Sequence, residues 1–278
     1  MSGLTLLTGA TGFVGRQVLR ELGLRGVPVR VVMRCGKQEQ VSALESVESV
    51  VTTRDLFAEG ADWWANVCAG VDTVIHVAWY AEPGKYLQSA TNLDCLSGTL
   101  QLAKGAAQAQ VRRWIGIGTC FEYDLRGGTL SVDTPLLPLT PYAGAKAAAF
   151  IALSQFLPER GVEFAWCRLF YLHGEGEDER RLVPHLRARL AAAEPVELTS
   201  GEQIRDFLDV SEAGRMIVEV ALGTALGPLN ICSGRAITVR ELAEGIADEY
   251  GRRDLLKFGA RQENVFDPPR VVGIKTAQ

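Results

Sequence analysis

Lysine is scarce in this chain of 278 residues. Six lysines stand against twenty-three arginines, and between Lys104 and Lys257 only Lys146 occurs. Histidine is scarcer still, at three. The six cysteines (Cys35, Cys68, Cys95, Cys120, Cys167 and Cys232) form no C-x-x-C pair. That spacing argues against a zinc site and fits reduced thiols in the cytoplasm better than a disulfide framework; no metal is expected. No apolar run approaches the roughly 20 residues of a membrane-spanning helix. The N-terminus has no basic segment ahead of an apolar one, so no secretory leader is expected. A formal charge of -4 leaves no footprint for a polyanion, which argues against nucleic acid as a partner. The length suits one large α/β domain, or one domain with a smaller appendage.

What is present is alternation. "LTLLT" (4–8), "VRVVM" (29–33), "DTVIHVA" (72–78), "WIGIGT" (114–119) and "VEFAWC" (162–167) read as strands. They are too continuously apolar for half-exposed antiparallel strands, and parallel strands covered on both faces have this character. Helical patterns lie between them near 13–25, 62–69, 86–110 and 144–157. The alternation predicts an α/β fold built on a doubly wound parallel sheet. After about residue 168 the rhythm breaks. A helix over 211–222, a short strand over 228–232 and a helix over 239–250, opened by Thr238, follow. The expected division is a dinucleotide-binding domain over 1–167, to which 205–232 returns, and a smaller region formed by 168–204 and 233–278. Leu93, Leu96, Leu100 and Ala103 make one apolar face of the 86–110 helix, and the 144–157 helix is apolar nearly all round. Such a helix must be covered on more than one side. The sheet is one cover; a partner subunit is the other candidate, giving a four-helix interface.

Between the first strand and the first helix stands "TLLTGATGFVG". Gly9 permits a tight turn, Gly12 lets backbone approach a pyrophosphate, and Gly15 lets helix and strand pack closely. Thr11, Phe13 and Val14 belong to the same loop and helix start, where N–H groups face a phosphate. The spacing is G-x-x-G-x-x-G rather than G-x-G-x-x-G. The second strand should end in the residue that reads the adenosine ribose. Arg34 stands there, with Lys37 nearby and no acid, so the expected cofactor is NADP(H) rather than NAD(H). Asp55 and Leu56 are placed at the adenine edge, and Val77, Ala78 and Trp79 beside the nicotinamide.

Tyr142 and Lys146, at i and i+4, share one helical face. An ammonium beside a phenol favours phenolate and lowers the tyrosine pKa from about 10 towards working pH. Such a tyrosine can give a proton to a developing alkoxide or take one from a hydroxyl. Thr119, ending the preceding strand, would hold the reacting oxygen.

With these motifs in place, the chain resembles the extended short-chain dehydrogenase/reductases of the nucleotide-sugar epimerase/dehydratase type. The resemblance runs from "TGATGFVG" through "RDL", "VIHVA", "TNLDCLSGT", "GTCFEYD", "PYAGAK", "CRLFYLHGEGE" and "IRDFLDV" to "LNICSG". It implies a Rossmann domain with a smaller substrate domain, Thr119, Tyr142 and Lys146 in catalysis, Asn92 among the cofactor-binding residues, and often a homodimer. It further implies a nucleotide-sugar substrate met by Thr119, Cys120, Tyr142 and Tyr171, with Arg181, Arg205 and Arg261 as candidates for its diphosphate. In 4,6-dehydratases of this type an Asp–Glu pair follows the catalytic threonine; here Cys120 and Phe121 follow Thr119. Glu122 comes one position later, where strand-end geometry should turn it away. A 4-keto-6-deoxy sugar nucleotide reductase using NADPH is the expected activity. A 4-epimerase with tightly held NAD, a reductase of a hydrophobic carbonyl compound and a non-catalytic NADP-binding regulator are the alternatives. His173 is given no role. The chain stops at "RVVGIKTAQ", where members of the family continue into a final helix.

Overall fold

A computed structural model describes residues 3–41, 44–263 and 267–276. The apolar runs become strands and the amphipathic ones helices: β1 (Thr5–Thr8), α1 (Phe13–Leu24), β2 (Val29–Arg34), β3 (Val47–Thr53), α2 (Ala61–Val67), β4 (Thr73–His76), α3 (Thr91–Gln108) and β5 (Arg113–Thr119). A two-residue strand, β6 (Thr129–Leu130), precedes α4 (Pro141–Phe156) and β7 (Glu163–Leu169). The remaining chain forms β8 (Tyr171–His173), α5 (Leu182–Ala191), β9 (Val196–Glu197), β10 (Ile204–Arg205), β11 (Phe207–Asp209) and α6 (Val210–Leu222). It closes with β12 (Gly227–Ile231), β13 (Ile237–Thr238), α7 (Val239–Glu249), β14 (Leu256–Lys257) and β15 (Arg270–Gly273).

Seven strands make one sheet in the order β12-β7-β5-β4-β1-β2-β3, all parallel. The fold is a Rossmann-type doubly wound α/β fold. Successive residues of each strand enter opposite cores. Leu7 joins Val18, Leu22 and Ile217 under α1 and α6, while Leu6 joins Trp64, Leu102 and Leu153 under α2, α3 and α4. Burial on both faces is why these strands read as continuous apolar runs. The chain order reverses between β1 and β4, and that reversal opens a crevice at the carboxyl ends of the strands.

β12 pairs with β7 and α6 packs on α1, so residues well beyond 168 complete the main layer. A separate small core of Val183, Leu186, Leu190, Val196, Ala243 and Ile246 joins α5 to α7. Thr238 opens α7 through a capping box with Glu241, its Oγ1 accepting from Glu241 N at 3.0 Å. Asp206, fully buried, ties the two regions. Its carboxylate accepts from Ser233 N (2.7 Å), Ser233 Oγ (2.6 Å), Gly234 N (2.9 Å) and Gly273 N (3.1 Å). Among the described residues no helix is long and apolar enough to cross a membrane.

Within the first 110 residues two elements differ from the sequence reading, and after β5 the short strands other than β12, together with α5, are additions to it. β3 carries Glu48, Ser49 and Thr52 on an edge strand, so it lacks the continuous apolar run of the inner strands. The helix expected from residue 86 is broken. Tyr86–Gln88 form a 3₁₀ turn and α3 starts at Thr91, because Asn92 Nδ2 donates to the carbonyls of Tyr86 (2.7 Å) and Ser89 (2.9 Å) and holds the preceding turn open.

Candidate active site

The glycine loop leaves β1 through Gly9, whose φ of +75° is left-handed. A Cβ there would stand 2.7 Å from Ala78 N, and one on Gly15 would stand 2.0 Å from Gly9 O. Strand, loop and helix therefore meet at backbone distance, which only glycine allows. No side chain caps the start of α1, so its first N–H groups remain available to an anion. These features form a cradle that fits the pyrophosphate of a dinucleotide.

One cleft of about 1040 Å³ runs from this cradle across the strand ends. Gly9, Thr11, Gly12, Phe13, Val14 and Gly15 line its middle. Arg34, Lys37, Asp55 and Leu56 line one end, with Val77, Ala78 and Trp79 towards the other. Thr119, Tyr142 and Lys146 meet at that far end, beside Cys120, Phe121, Tyr171 and Arg181. Arg54, which directly follows β3, joins Arg34 and Lys37. The sequence reading missed it because it did not recognise β3.

Tyr142 sits in the first turn of α4, where Thr140 Oγ1 accepts from Ala143 N (3.2 Å) and Pro141 occupies the first helical position. The Tyr86 ring meets it edge-on, with centroids 4.8 Å apart. Burial, reinforced by Tyr86 and Glu122, pushes the Tyr142 phenol above its ordinary value; a hydrogen bond from Thr119 pulls the other way. This corrects the expectation that Lys146 makes the phenol more acidic. Lys146 is buried, and its Nζ donates to Ile117 O at 2.6 Å and lies 3.8 Å from the centre of the Trp79 ring. Burial brings the Lys146 pKa down to about 7, opposed by Glu122 and Cys95. In this arrangement loss of water is the largest effect on both side chains, and Tyr142 is kept protonated.

His76, at the end of β4, lies between Thr8 Oγ1 (2.8 Å) and Thr99 Oγ1 (2.9 Å). Burial first, then Lys146, brings its pKa down to about 3. A neutral imidazole bound on both nitrogens fixes the strand ends and offers the cleft no base.

Glu122 points away from the cleft. Its Oε1 accepts from Thr119 N (2.8 Å) and Trp166 Nε1 (3.1 Å), and its Oε2 from Arg168 Nε (2.7 Å). Arg168 is 1% exposed; its guanidinium lies 4.5 Å from the Tyr123 ring centre and 4.4 Å from that of Phe150. The alternating glycines of "WIGIGT" make room for this layer. A Cβ on Gly116 or Gly118 would fall 2.3 or 2.2 Å from Trp166.

Three expected site residues do not line the cleft. Asn92 is fully buried and spends its amide on protein, accepting from Trp79 Nε1 at 2.8 Å besides the two bonds that break the helix. Arg205 is 3% exposed and pairs with Asp267 at 2.7 Å; its guanidinium lies 5.2 Å from the Tyr171 ring centre and reaches the cleft only through that ring. Arg261 lies exposed on a loop, its backbone N–H donating to Leu198 O (3.0 Å). Arg181 does line the cleft, 3.4 Å from Glu177. Asp267 and Arg205 are 62 positions apart, and nothing in their spacing announces the pair.

Known proteins resemble this chain in sequence and fold. The dTDP-6-deoxy-L-talose 4-dehydrogenase (NAD(+)) of Aggregatibacter actinomycetemcomitans is 25% identical over 274 residues, covering 97% of this chain and 99% of its own. The dTDP-4-dehydro-6-deoxy-D-allose reductase of Streptomyces bikiniensis is 22% identical, over 96% of this chain and 85% of its own. In fold, the UDP-N-acetylglucosamine 4-epimerase of Methanobrevibacter ruminantium M1, solved with UDP-N-acetylmuramic acid, superposes with a TM-score of 0.86 at 20% identity, over 99% of this chain and 90% of that one. A family model matches residues 5–231, most of the chain, and the protein belongs to the NAD dependent epimerase/dehydratase family.

Proposed function

We propose that the protein is an NADPH-dependent reductase of a nucleotide-activated 4-keto-6-deoxy sugar. One observation carries this reading. Cys120 and Phe121 line the cleft at the two positions after Thr119, where elimination of water needs an acid and a base, while the nearby acid, Glu122, is committed to Arg168 and Trp166. What remains at the carbonyl end is a hydroxyl, a protonated phenol and an ammonium, a set suited to receiving a proton-coupled hydride.

When bound, the dinucleotide supplies that hydride to C4 of the sugar. Thr119 Oγ1 holds the ketone oxygen, and Tyr142 gives its phenolic proton to the same oxygen as negative charge gathers there. The phenolate is stabilised by Lys146 and regains its proton from solvent. At the sugar nucleotide's other end, Arg181 is placed for a phosphate. Arg205 acts through Tyr171, and Arg261 is not assigned to the diphosphate. The smaller region formed by 168–204 and 233–278 is taken to carry the nucleotide. Leu93 on α3 and Ile151 on α4 are 65% and 56% exposed, which supports a homodimer joined through these helices.

The relative from Aggregatibacter has NAD(+) in its name, so the preference for NADP(H) rests on Arg34, Lys37 and Arg54. Arginines elsewhere are commonly ion-paired, as Arg112, Arg187 and Arg253 are. Among the described residues, none of these three cations has a carboxylate partner, and all face one end of the cleft. Replacing Arg34 and Lys37 with alanine should raise the KM for NADPH about 10- to 100-fold, the loss expected for charge-assisted bonds to a phosphate, with that for NADH within about twofold. Equal losses for both cofactors would remove the NADP(H) assignment.

The activity itself is tested by incubating CDP-, GDP-, dTDP- and UDP-4-keto-6-deoxyhexoses with the enzyme and NADPH. Oxidation of NADPH matched by a 4-hydroxy product is expected with at least one. Interconversion of 4-hydroxyl epimers without added cofactor, and no NADPH consumption with any ketone, would make it a 4-epimerase.

A further inference from the structure

We propose that Trp79 is a positioning residue for Lys146, its indole face holding the ammonium at the floor of the cleft, and that Asn92 locks the indole in that orientation. The inference rests on the reductase reading only in calling Lys146 catalytic. A lysine stem is flexible, and one carbonyl is a weak tether for it. Here Nζ has two holds from different directions, the Ile117 carbonyl at 2.6 Å and the Trp79 ring centre at 3.8 Å. An aromatic face attracts a cation without adding a second anion to the site. Were that hold a carboxylate, it would bind the ammonium more strongly and compete with the hydroxyls the ammonium is meant to meet.

The indole itself is fixed. Its Nε1 donates to Asn92 Oδ1 at 2.8 Å, and both N–H groups of the same amide are used on the carbonyls of Tyr86 and Ser89. With its donors committed, the amide cannot turn over, and its oxygen has to face Trp79. Tyr86 in turn sets its ring against Tyr142. A single buried amide thus governs the walls around both catalytic side chains.

The charged and titratable groups around Lys146 are His76 from β4, Cys95 from α3 and Glu122 after β5. Burial holds the His76 pKa down to about 3 and raises those of Cys95 and Tyr142. A titration of Lys146 near neutrality is therefore not confused with that of His76, Cys95 or Tyr142.

The test reads Lys146 without turnover, so it also works on a protein that reduces no sugar nucleotide. Trace acylation with acetic anhydride across pH 5 to 10, followed by peptide mass spectrometry, gives the midpoint at which the Lys146 amine becomes reactive. Trp79→Leu should move that midpoint to lower pH by about one unit, since the desolvated cation loses about 1–2 kcal/mol of attraction. Trp79→Phe keeps an aromatic face but loses the Asn92 bond, and should move it by roughly half as much. An unmoved midpoint in folded Trp79→Leu overturns the proposal. If Trp79→Leu does not fold, an unmoved midpoint in Trp79→Phe overturns it instead.

Discussion

Replacing Tyr142 with phenylalanine should lower kcat for the reductase reaction about 1,000-fold, within the range measured when a general acid is removed. The affinity for the dinucleotide should stay within about twofold, because the ring remains and only the hydroxyl is lost. Tyr142 meets Tyr86 through an edge-to-face contact that phenylalanine keeps, with centroids 4.8 Å apart, so the melting temperature should change by no more than about 2 °C. The loss belongs to the proton step. As hydride reaches the carbonyl carbon, the oxygen gains charge in a site walled by apolar residues, and Thr119 can share a hydrogen bond but has no acidic proton to give. The raised phenol pKa keeps Tyr142 protonated through its ordinary titration range as well as below it, so it enters the reaction as a donor without a prior uptake step. Turnover by Tyr142→Phe at more than about a tenth of the parent rate would show that the proton comes from elsewhere.

The parts of this site legible in the sequence are those whose chemistry is local. Gly9, Gly12 and Gly15 announce a cradle because each answers a backbone constraint within seven positions, and the Tyr142–Lys146 pair because i and i+4 share a helical face. All but three of the named site residues line one cleft. The exceptions share a cause. Asn92, Arg205 and Arg261 were placed by motif, and a motif does not show which partners, near or far in sequence, a polar side chain will take. Arg205 is taken by Asp267, and Asn92 by Trp79 and the turn at 86–89. The direction of the Tyr142 shift was misread for a related reason. Sequence spacing shows that a cation is near but not how much water the site has lost, and burial is the larger effect here. β3 was missed because an edge strand need not be apolar on both faces.

The same distance from sequence applies to Glu122, whose loss should be the most costly to stability. Glu122→Ala leaves the Arg168 guanidinium buried without its carboxylate, a change that typically costs about 3–5 kcal/mol. At about 2–4 °C per kcal/mol for a chain of this size, the melting temperature should fall by roughly 10 °C. Arg168→Met made on top of it removes the stranded charge, so the double variant should melt above Glu122→Ala. Activity adds a second readout. Glu122 holds Thr119 N at 2.8 Å, so kcat should fall in Glu122→Ala through displacement of the threonine and recover in part with Glu122→Gln, whose amide oxygen can still accept that bond. A base working directly on the sugar behaves in the opposite way: its alanine and glutamine variants lose turnover alike and keep the parent melting temperature. That second pattern would return Glu122 to the cleft, and elimination of water would again be open to this enzyme.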